Sequence, residues 1–375
     1  MDLQPYQGWL ALGLTPGLGS RLAGKLLREF RKPEAIFQAS LTSLEACGLK
    51  AESAQAIHSQ QPLKDAEQEL AKIRALGCRL VSWDEAAYPK RLLEIYDPPP
   101  LLYVRGNVEL LERHSMAIVG ARKPTPYGVQ MAEKLGRDLA ARGLVIVSGM
   151  ARGIDACAHK GALSAAKGAT IGVLGTGLDV IYPKENKKLY EQIAEKGALI
   201  SEFPIGTFPA PQNFPIRNRV IAGMELGVVV VEGAQYSGSL ITARLGMEFG
   251  REVYGVPGNV TQPLSFGPNQ LIRQGAKLVC GWEDVVEELP TDIRAELLPP
   301  QEASSEERAS LLEKSLSPME KTLYGLLTVE QARHVDELVD LSGLSSSEVL
   351  ATLFEMEMKS AIRQLPGKHF VKVLL

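Results

Sequence analysis

Two glycine-rich turns, each carrying one arginine, contain the residues best suited to bind an anion. One runs from Gly120 to Arg122 and the other from Ser148 to Gly153, and each follows a short apolar run and precedes a helical pattern. Backbone N–H groups converge where a strand, a glycine turn and a helix N-terminus meet, and the helix dipole there favours negative charge. The two turns therefore predict a double phosphate site with Arg122 and Arg152 at its edge.

A third candidate segment, Phe214 to Arg219, carries an aromatic ring and two arginines just before a helix predicted to begin at Arg219. Arginine forks match phosphate oxygens, and an exposed phenylalanine ring can stack on a base. The alternative is that the ring fills the core and that the arginines pair with acids such as Glu202, Glu225 or Glu232. Both interpretations stay open at the level of sequence.

The elements that must position these turns form a regular alternation of apolar β-branched runs and helical patterns from Ser115 to about Leu289. This alternation predicts an α/β fold with an extended Rossmann-like, mostly parallel sheet, and such sheets bind ligands at the carboxyl ends of their strands. The predicted strands are Met116–Val119, Leu144–Val147, Thr170–Leu174, Leu199–Ser201, Val228–Val231, Glu252–Val256 and Lys277–Val279. Glycine turns follow five of them, at Gly120–Arg122, Ser148–Gly153, Gly175–Gly177, Glu232–Ser239 and Pro257–Gly258. Because all five turns lie at one edge of the sheet, a phosphate-rich ligand is favoured over the alternative that the glycines serve only to form tight turns.

Residues 1–62 are predicted to form an all-helical module, followed by the sheet domain over residues 63–289. A turn at Pro16-Gly17 between two helical patterns is typical of a helix-hairpin-helix, and a weaker copy runs from Leu44 to Ile57. In that motif, turn N–H groups can contact a DNA phosphate. A packing module without DNA contact fits the same residues equally well.

Residues 290–316 are rich in proline, glutamate and serine and are predicted to form a linker. Residues 317–375 give three helical patterns and a hairpin at Pro366-Gly367, which predicts a winged helix. From Leu316 to Leu375 there are six Lys and Arg against eight Asp and Glu, so 6 − 8 = −2. Because groove binding depends on phosphate neutralisation, we expect a protein-contact or packing role here.

Composition sets outer bounds on these assignments. A chain of 375 residues with 45% hydrophobic residues and a net charge of −3 indicates two or three globular domains and excludes a globally basic coat for nucleic acid. We expect no membrane span and no signal peptide, hence a cytoplasmic protein. The four cysteines are far apart with no CxxC, which indicates reduced thiols, and the five histidines show no metal spacing.

The ordered set of motifs resembles the DNA-processing protein A family (DprA, also called Smf). The resemblance covers most of residues 80–290 and includes Val-Gly-Ala-Arg122, Ser-Gly-Met-Ala-Arg-Gly-Ile-Asp155, Leu-Gly-Thr-Gly-Leu-Asp179, Phe-Pro-Ile-Arg-Asn-Arg219, Ser-Gly-Ser-Leu-Ile-Thr-Ala243 and Gly-Pro-Asn-Gln-Leu-Ile272. The helical module in front and the winged helix behind also suit this family.

The resemblance implies a bacterial protein that binds single-stranded DNA in natural transformation, protects it and loads a RecA-type recombinase on it. It further implies a homodimer formed through the Rossmann-like domain, to which the apolar helix from Leu240 to Phe249 could contribute. No catalytic chemistry, cofactor or membrane contact is implied. By motif, the implied phosphate and single-stranded DNA site is Gly120, Ala121, Arg122, Ser148, Gly149, Arg152, Gly153, Lys184, Phe214, Arg217 and Arg219. Ala121 replaces the serine that is commoner in the family, which removes one hydroxyl donor.

An enzyme is the main alternative, since nucleotide phosphoribohydrolases of the lysine-decarboxylase-like group also have a Rossmann-like sheet with a glycine-rich phosphate edge. That chemistry needs a carboxylate beside the sugar, for which Asp155, Asp179, Glu202 and Glu232 are candidates by position. The Pro-Gly-Gly-x-Gly-Thr loop expected of that group is absent, as are a P-loop and a G-x-G-x-x-G after the first strand. We therefore expect Asp155 to cap a helix and Glu202 to orient an arginine.

Overall fold

Nine strands form the main sheet of this computed structural model, which describes residues 3–297 and 316–373. The strand order is β1-β2-β6-β5-β4-β3-β7-β8-β9, parallel throughout except that β2 runs antiparallel to both β1 and β6. The strands are β1 (Arg79–Ser82), β2 (Leu101–Gly106), β3 (Ser115–Val119), β4 (Val145–Ser148), β5 (Ala169–Val173), β6 (Ala198–Ser201), β7 (Gly227–Val230), β8 (Glu252–Gly255) and β9 (Lys277–Leu278).

Helices cover both faces of this sheet and also form a layer in front of it. The N-terminal helices are α1 (Gln7–Leu14), α2 (Ser20–Phe30), α3 (Pro33–Phe37), α4 (Leu41–Ala46), α5 (Ala51–His58) and α6 (Gln61–Leu76). Those of the sheet domain are α7 (Lys90–Leu93), α8 (Pro126–Ala141), α9 (Ile154–Ser164), α10 (Lys187–Lys196), α11 (Asn213–Gly223), α12 (Gly238–Glu248), α13 (Phe266–Arg273), α14 (Trp282–Glu287) and α15 (Thr291–Leu297). Short 3₁₀ helices span Gln4–Tyr6, Val108–Glu112, Lys184–Asn186 and Pro263–Ser265.

The central strands are buried on both faces, which explains their continuous apolar, β-branched sequences. Every residue of β3, β4, β5 and β7 is buried. Strands covered on both faces show such runs rather than an apolar–polar alternation. The α/β class and the mostly parallel Rossmann-like sheet predicted from sequence are confirmed.

Strand β3 is the point at which the order of strand addition reverses, so that the strands following it in the chain lie on both of its sides. Strands β4, β5 and β6 follow on one side of β3, whereas β7, β8 and β9 lie on the other. Ligands of open α/β sheets bind outside the carboxyl ends of the strands at such a switch point. The five predicted glycine turns lie after β3, β4, β5, β7 and β8, and parallel pairing brings them to this one edge.

The N-terminal helices share a hydrophobic core with one face of the sheet. Leu10, Leu26 and Ile73 lie in the same cluster as Tyr103 and Leu199. The turn between α1 and α2 falls at Pro16-Gly17 as predicted, and α4 and α5 form the second helix pair. Helix α6 packs along α1 and belongs to this helical layer, whereas the sequence placed the domain boundary at residue 62.

The C-terminal domain is a winged helix, as predicted. It contains α16 (Pro318–Leu326), α17 (Val335–Ser342) and α18 (Ser346–Met358), with a three-stranded sheet of β10 (Arg333–His334), β11 (Ile362–Leu365) and β12 (His369–Lys372) in the order β10-β12-β11. Capping boxes, Ser317 with Glu320 and Ser345 with Glu348, begin α16 and α18.

The predicted linker 290–316 lies mostly outside the described residues. Its residues 291–297 differ from the prediction, because they form α15. The apolar pair Ile293 and Leu297 is buried against the sheet domain, and this packing outweighs the polar composition of the segment.

Three further expectations concern membranes, thiols and metals. No helix in the described part of the chain is long and apolar enough to cross a bilayer. All four cysteines are free thiols, with Cys78 and Cys157 buried. Within residues 3–297 and 316–373, no group of three or more His, Cys, Asp and Glu side chains could hold a metal ion.

Candidate nucleic-acid interface

A pocket opens at the carboxyl ends of β3, β4 and β5. Three of the predicted turns meet in it, together with the start of α11. Its lining residues are Arg122, Gly149, Ala151, Arg152, Leu174, Gly175, Thr176, Tyr182, Pro183, Phe214 and Arg217. We call this the aromatic pocket.

The turn after β4 is held open by a buried carboxylate at the start of α9. Asp155 accepts hydrogen bonds from the backbone N–H groups of Gly149 at 3.1 Å and Ala151 at 3.3 Å. Burial raises the pKa of Asp155, and the neighbouring Arg217 charge opposes that rise. Asp155 thus stabilises the loop. The expectation that it caps a helix is wrong, because the N-cap of α9 is Gly153 and no side chain caps that helix.

Gly153 locks the turns after β3 and β4 together. Its φ is +75°, and a Cβ there would lie 2.3 Å from the carbonyl oxygen of Ala121. The N–H of Ile154 donates to that same carbonyl oxygen at 3.1 Å. Gly153 and the buried Ala121 therefore shape the site through backbone packing and do not line the aromatic pocket.

An aromatic pair forms one wall of the pocket. The ring centroids of Tyr182 and Phe214 are 5.6 Å apart with an interplanar angle of 36°. The Arg122 guanidinium lies 5.9 Å from the Phe214 ring centroid, so a cation and a stacking surface are adjacent. Tyr182 is 44% exposed, and it was not among the site residues inferred from sequence. Its position beside Phe214 depends on the tertiary fold, which brings the segment after β5 against α11.

The start of α11 differs from the prediction and decides what its arginines do. The helix begins at Asn213 instead of Arg219, because a proline is tolerated in the first turn, where its missing N–H costs nothing. Residues three apart share a helix face, whereas residues two apart do not. Phe214 and Arg217 therefore both face the pocket, and Arg219 points elsewhere.

Arg217 is a buried brace as well as a pocket residue. Its Nη1 donates to the carbonyl oxygens of Gly149 and Val173, at 2.5 Å each. Burial lowers the pKa of Arg217 to about 10, so the guanidinium stays charged at neutral pH. Its charge adds to the positive potential, although backbone carbonyls already occupy some of its hydrogen-bond donors.

Arg219 does not extend the site, contrary to the expectation from sequence. It is buried, forms an ion pair with Glu202 and another with Asp97 at 3.3 Å, and donates to Ser20 Oγ at 3.0 Å. Burial raises the pKa of Glu202 to about 7, against the opposing charge of Arg219. This cluster ties α11 to the N-terminal helices, so the ion-pair alternative holds for Arg219.

Ser148 is likewise a structural residue rather than a pocket residue. It is fully buried, and its Oγ donates to the carbonyl oxygen of Ile118 at 2.6 Å. The hydroxyl thus links β4 to β3 and cannot reach a ligand. Because Ser148 is the last residue of β4, it belongs to the doubly covered part of the sheet.

Two exposed cations stand at the rim of the aromatic pocket. Arg152 lines the pocket and forms an exposed ion pair with Glu185, an interaction that contributes little in water. Lys184 is exposed on the 3₁₀ helix next to Pro183, which lines the pocket. Asn186 in that helix donates to the carbonyl oxygens of Met150 and Ala151, which holds the segment against the turn after β4.

A second pocket lies on the other side of Arg122. Its lining residues are Val119, Gly120, Arg122, Ala151, Asp155, Asn218, Ile221, Ser237, Gly238, Ser239 and Thr242, so it includes the N-terminus of α12. Arg122 therefore stands between two adjoining hollows on one sheet edge. The turn at Pro257-Gly258 lines neither of them.

The carboxylates considered for catalysis are engaged in structural contacts. Asp179 accepts from the N–H of Gly206 at 2.8 Å, and Glu232 accepts from the N–H of Thr125 at 2.9 Å. With Asp155 on backbone N–H groups and Glu202 on Arg219, all four act as hydrogen-bond acceptors that hold the fold together.

Comparison with known proteins agrees with this fold. Residues 79–290 match the family model of DNA recombination-mediator protein A, and residues 299–368 match that of the DprA winged helix domain. The chain belongs to the DprA family. DprA proteins are DNA-processing proteins and recombination mediators, and the winged helix seen here matches the winged helix domain of that family.

Several DprA relatives align over most of this chain. Protein Smf of Synechocystis sp. is 32% identical over 388 residues, which covers 96% of this chain and 97% of that protein. Protein Smf of Escherichia coli is 38% identical over 327 residues, covering 87% and 86%. DprA of Bacillus subtilis is 45% identical over 222 residues, covering 59% and 74%.

Two solved DprA structures share the fold. The X-ray structure of DprA from Streptococcus pneumoniae superposes with a TM-score of 0.69 at 36% identity, covering 77% of this chain and 99% of that one. DprA from Helicobacter pylori gives a TM-score of 0.51 at 31% identity, covering 56% and 98%, and its structure concerns that protein's single-stranded DNA binding mode.

Proposed function

We propose that this chain binds single-stranded DNA along the carboxyl edge of its sheet. The observation that carries the proposal is the position of Arg122, exposed between two adjoining pockets and 5.9 Å from the Phe214 ring. A phosphate on Arg122 would place the neighbouring base within reach of an aromatic surface. Relatives that share the fold include one described by its single-stranded DNA binding mode.

The roles divide between backbone-contacting and base-contacting groups. Arg122 and Arg152 would neutralise phosphates, with Lys184 further along the rim. Gly120 and Gly149 would contribute by making room for Ile154 and Arg217, which pack behind the site. Tyr182 and Phe214 would stack on bases, a contact that tolerates any sequence because every base has a π-face. A duplex keeps its bases stacked inside, so an aromatic wall favours an unpaired strand.

We further propose that the chain binds DNA without catalysing a reaction on it. A hydrolytic reaction at the sugar needs a carboxylate free to take or give a proton. The four candidate carboxylates, Asp155, Asp179, Glu202 and Glu232, already accept hydrogen bonds or ion pairs from the protein. Release of free base or sugar phosphate from nucleotides by the purified chain would contradict this assignment.

The bound strand would be protected and handed to a RecA-type recombinase during natural transformation, by a homodimer in the cytoplasm. Exposed apolar side chains on the β7, β8 and β9 side of the sheet support the dimer: Ile241 and Met247 on α12, Phe266 on α13 and Leu278 on β9. Delivery is tested by recombinase assembly on oligonucleotides precoated with a single-strand binding protein. Assembly should be faster with this chain present, and an unchanged rate would contradict the delivery step.

The binding proposal is tested with one fluorescent oligonucleotide, alone and annealed to its complement. We expect the single strand to bind more tightly than the duplex, and its affinity to fall steeply between two salt concentrations because counterions are released. Equal affinity for both forms, or an affinity that salt leaves unchanged, would contradict it.

A further inference from the structure

The third helix of the winged-helix domain, α18, exposes an apolar stripe. Leu350, Phe354 and Met358 are 47%, 65% and 73% exposed. They are spaced i, i+4 and i+8, which places them on one helix face. The opposite face, with Val349, Leu353 and Met356, is buried in the core of the domain. The hydrophobic core of the domain therefore fixes the orientation of α18, and the exposed stripe does not contribute to that core.

The two helices on this side of the domain are uniformly acidic. Helices α17 and α18 contain no lysine or arginine and six carboxylates, namely Asp336, Glu337, Asp340, Glu348, Glu355 and Glu357. Lys359, the first cation after α18, forms hydrogen bonds of 2.7 Å and 2.8 Å with the buried Glu320. The helix that carries the stripe and its neighbour α17 thus bear only negative charge, while Arg363 on the adjoining strand β11 forms an ion pair with Glu133 at 2.9 Å.

This combination is unsuited to DNA and suited to a protein. In winged-helix DNA readers the corresponding helix enters the major groove, where phosphates demand positive charge. Single exposed apolar residues are ordinary, but three in register along a helix form a face that an amphipathic partner helix can cover. The surrounding carboxylates select a partner with lysine or arginine beside its apolar residues.

We propose that α18 is a docking site for a basic amphipathic helix of another protein. The apolar residues of the partner pack on Leu350, Phe354 and Met358, and its flanking cations meet carboxylates such as Glu355 and Asp340. This proposal does not rest on the DNA-binding proposal, because it uses a different domain and different residues. Its failure would leave the assignment of Arg122 untouched, and the reverse also holds.

The test uses the full chain and two labelled synthetic helical peptides with the same leucine face, one bearing lysines on its flanks and the other glutamates. We expect the basic peptide alone to bind, measured by fluorescence anisotropy. Phe354→Ser should weaken its binding about tenfold or more, because a central aromatic contact is lost. The matched control is Val260→Ser, which removes an 89% exposed apolar side chain from the sheet domain and should change nothing.

A second variant, Glu355→Lys, keeps the apolar stripe. It should weaken binding of the basic peptide and strengthen binding of the acidic peptide. Circular dichroism melting of each variant reports its fold. Equal binding of both peptides, or full binding by Phe354→Ser, would overturn the proposal. So would duplex DNA binding by the full chain that Phe354→Ser abolishes, or a fall in molar mass of Phe354→Ser, which would make a second copy the occupant.

Discussion

The Arg217 guanidinium donates a hydrogen bond to the carbonyl oxygen of Gly149, joining α11 to the turn after β4. The same Nη1 also donates to the carbonyl oxygen of Val173 at the end of β5. One buried cation therefore fixes the helix that carries Phe214 against two of the turns that line the aromatic pocket. This arginine shapes the site before any ligand arrives.

Replacing Arg217 by methionine should cost stability as well as binding. The change leaves Asp155 without its neighbouring charge and two carbonyl oxygens without their donor, a loss of about 3–5 kcal/mol in the free energy of unfolding. Urea denaturation measures it. The matched control is Arg122→Ala, an exposed site where we expect a change within about 0.5 kcal/mol. Equal stability of the two variants would contradict the bracing role.

Phe214→Ala should weaken single-stranded DNA binding without abolishing it. Base–aromatic stacking contributes about 1–3 kcal/mol per base, so the dissociation constant should rise about five- to 150-fold. Phe214→Tyr should restore most of the affinity, because it keeps the ring. Phe354→Ala, which removes an exposed ring from the winged-helix domain, is the control. If Phe214→Ala and Phe354→Ala bind the oligonucleotide equally well, the ring does not stack on DNA.

Acid should destabilise the protein partly through His159. Thr170 Oγ1 donates to the carbonyl oxygen of Ile146, so it accepts from His159 Nδ1 at 2.6 Å, and the buried ring is neutral. Burial lowers the pKa of His159 from 6.5 to about 3 in the folded state. Below pH 6.5 only the unfolded state takes the proton, so stability is complete above that pH and falls as pH falls towards 3.

Between pH 7 and pH 5 this linkage amounts to about 2 kcal/mol. Urea unfolding at the two pH values should show that loss in the parent protein and a loss smaller by about that amount in His159→Gln. Glu202, whose pKa is raised to about 7, makes the fold more stable as the pH falls. Its contribution is the same in both proteins, so it cancels when the slopes of unfolding free energy against pH are compared. Identical slopes for parent and variant would show that His159 titrates normally in the fold.

Met247→Glu should break the proposed homodimer, because it would place a charge in an apolar contact. Met247 is exposed on α12, the helix that packs against β7 and β8. Light scattering should give the dimer mass for the parent and the monomer mass for the variant. Leu93→Glu, an exposed apolar site on α7, is the control and should stay dimeric. A monomeric parent, or a dimeric Met247→Glu, would contradict this surface.

Much of the sheet edge could be predicted because local sequence determines it. Buried β-branched strands followed by glycine turns identify β3, β4 and β5, and parallel pairing then brings the turns together without further information. Arg122, Gly149 and Arg152 were found in this way, and all three line the aromatic pocket.

The sequence predictions fail where tertiary packing, or the residue at which a helix begins, determines the direction of a side chain. Starting α11 at Asn213 rather than Arg219 puts Arg217 and Arg219 on different faces, so only one reaches the pocket. Ser148 ends a covered strand and turns inward to Ile118. No sequence pattern around Tyr182 indicates a binding role, because that role depends on the Phe214 ring, which the fold brings beside it.

The most direct test of the account is oligonucleotide affinity for Arg122→Ala against Arg113→Ala, two exposed arginines on opposite edges of the same sheet. Arg122→Ala should bind single-stranded DNA about ten- to a hundredfold more weakly, since a charge-assisted phosphate contact is lost. The slope of log affinity against log salt should also fall by about 0.7. Arg113→Ala should bind as the parent does. Equal affinity and equal salt slope for the two variants would contradict the site.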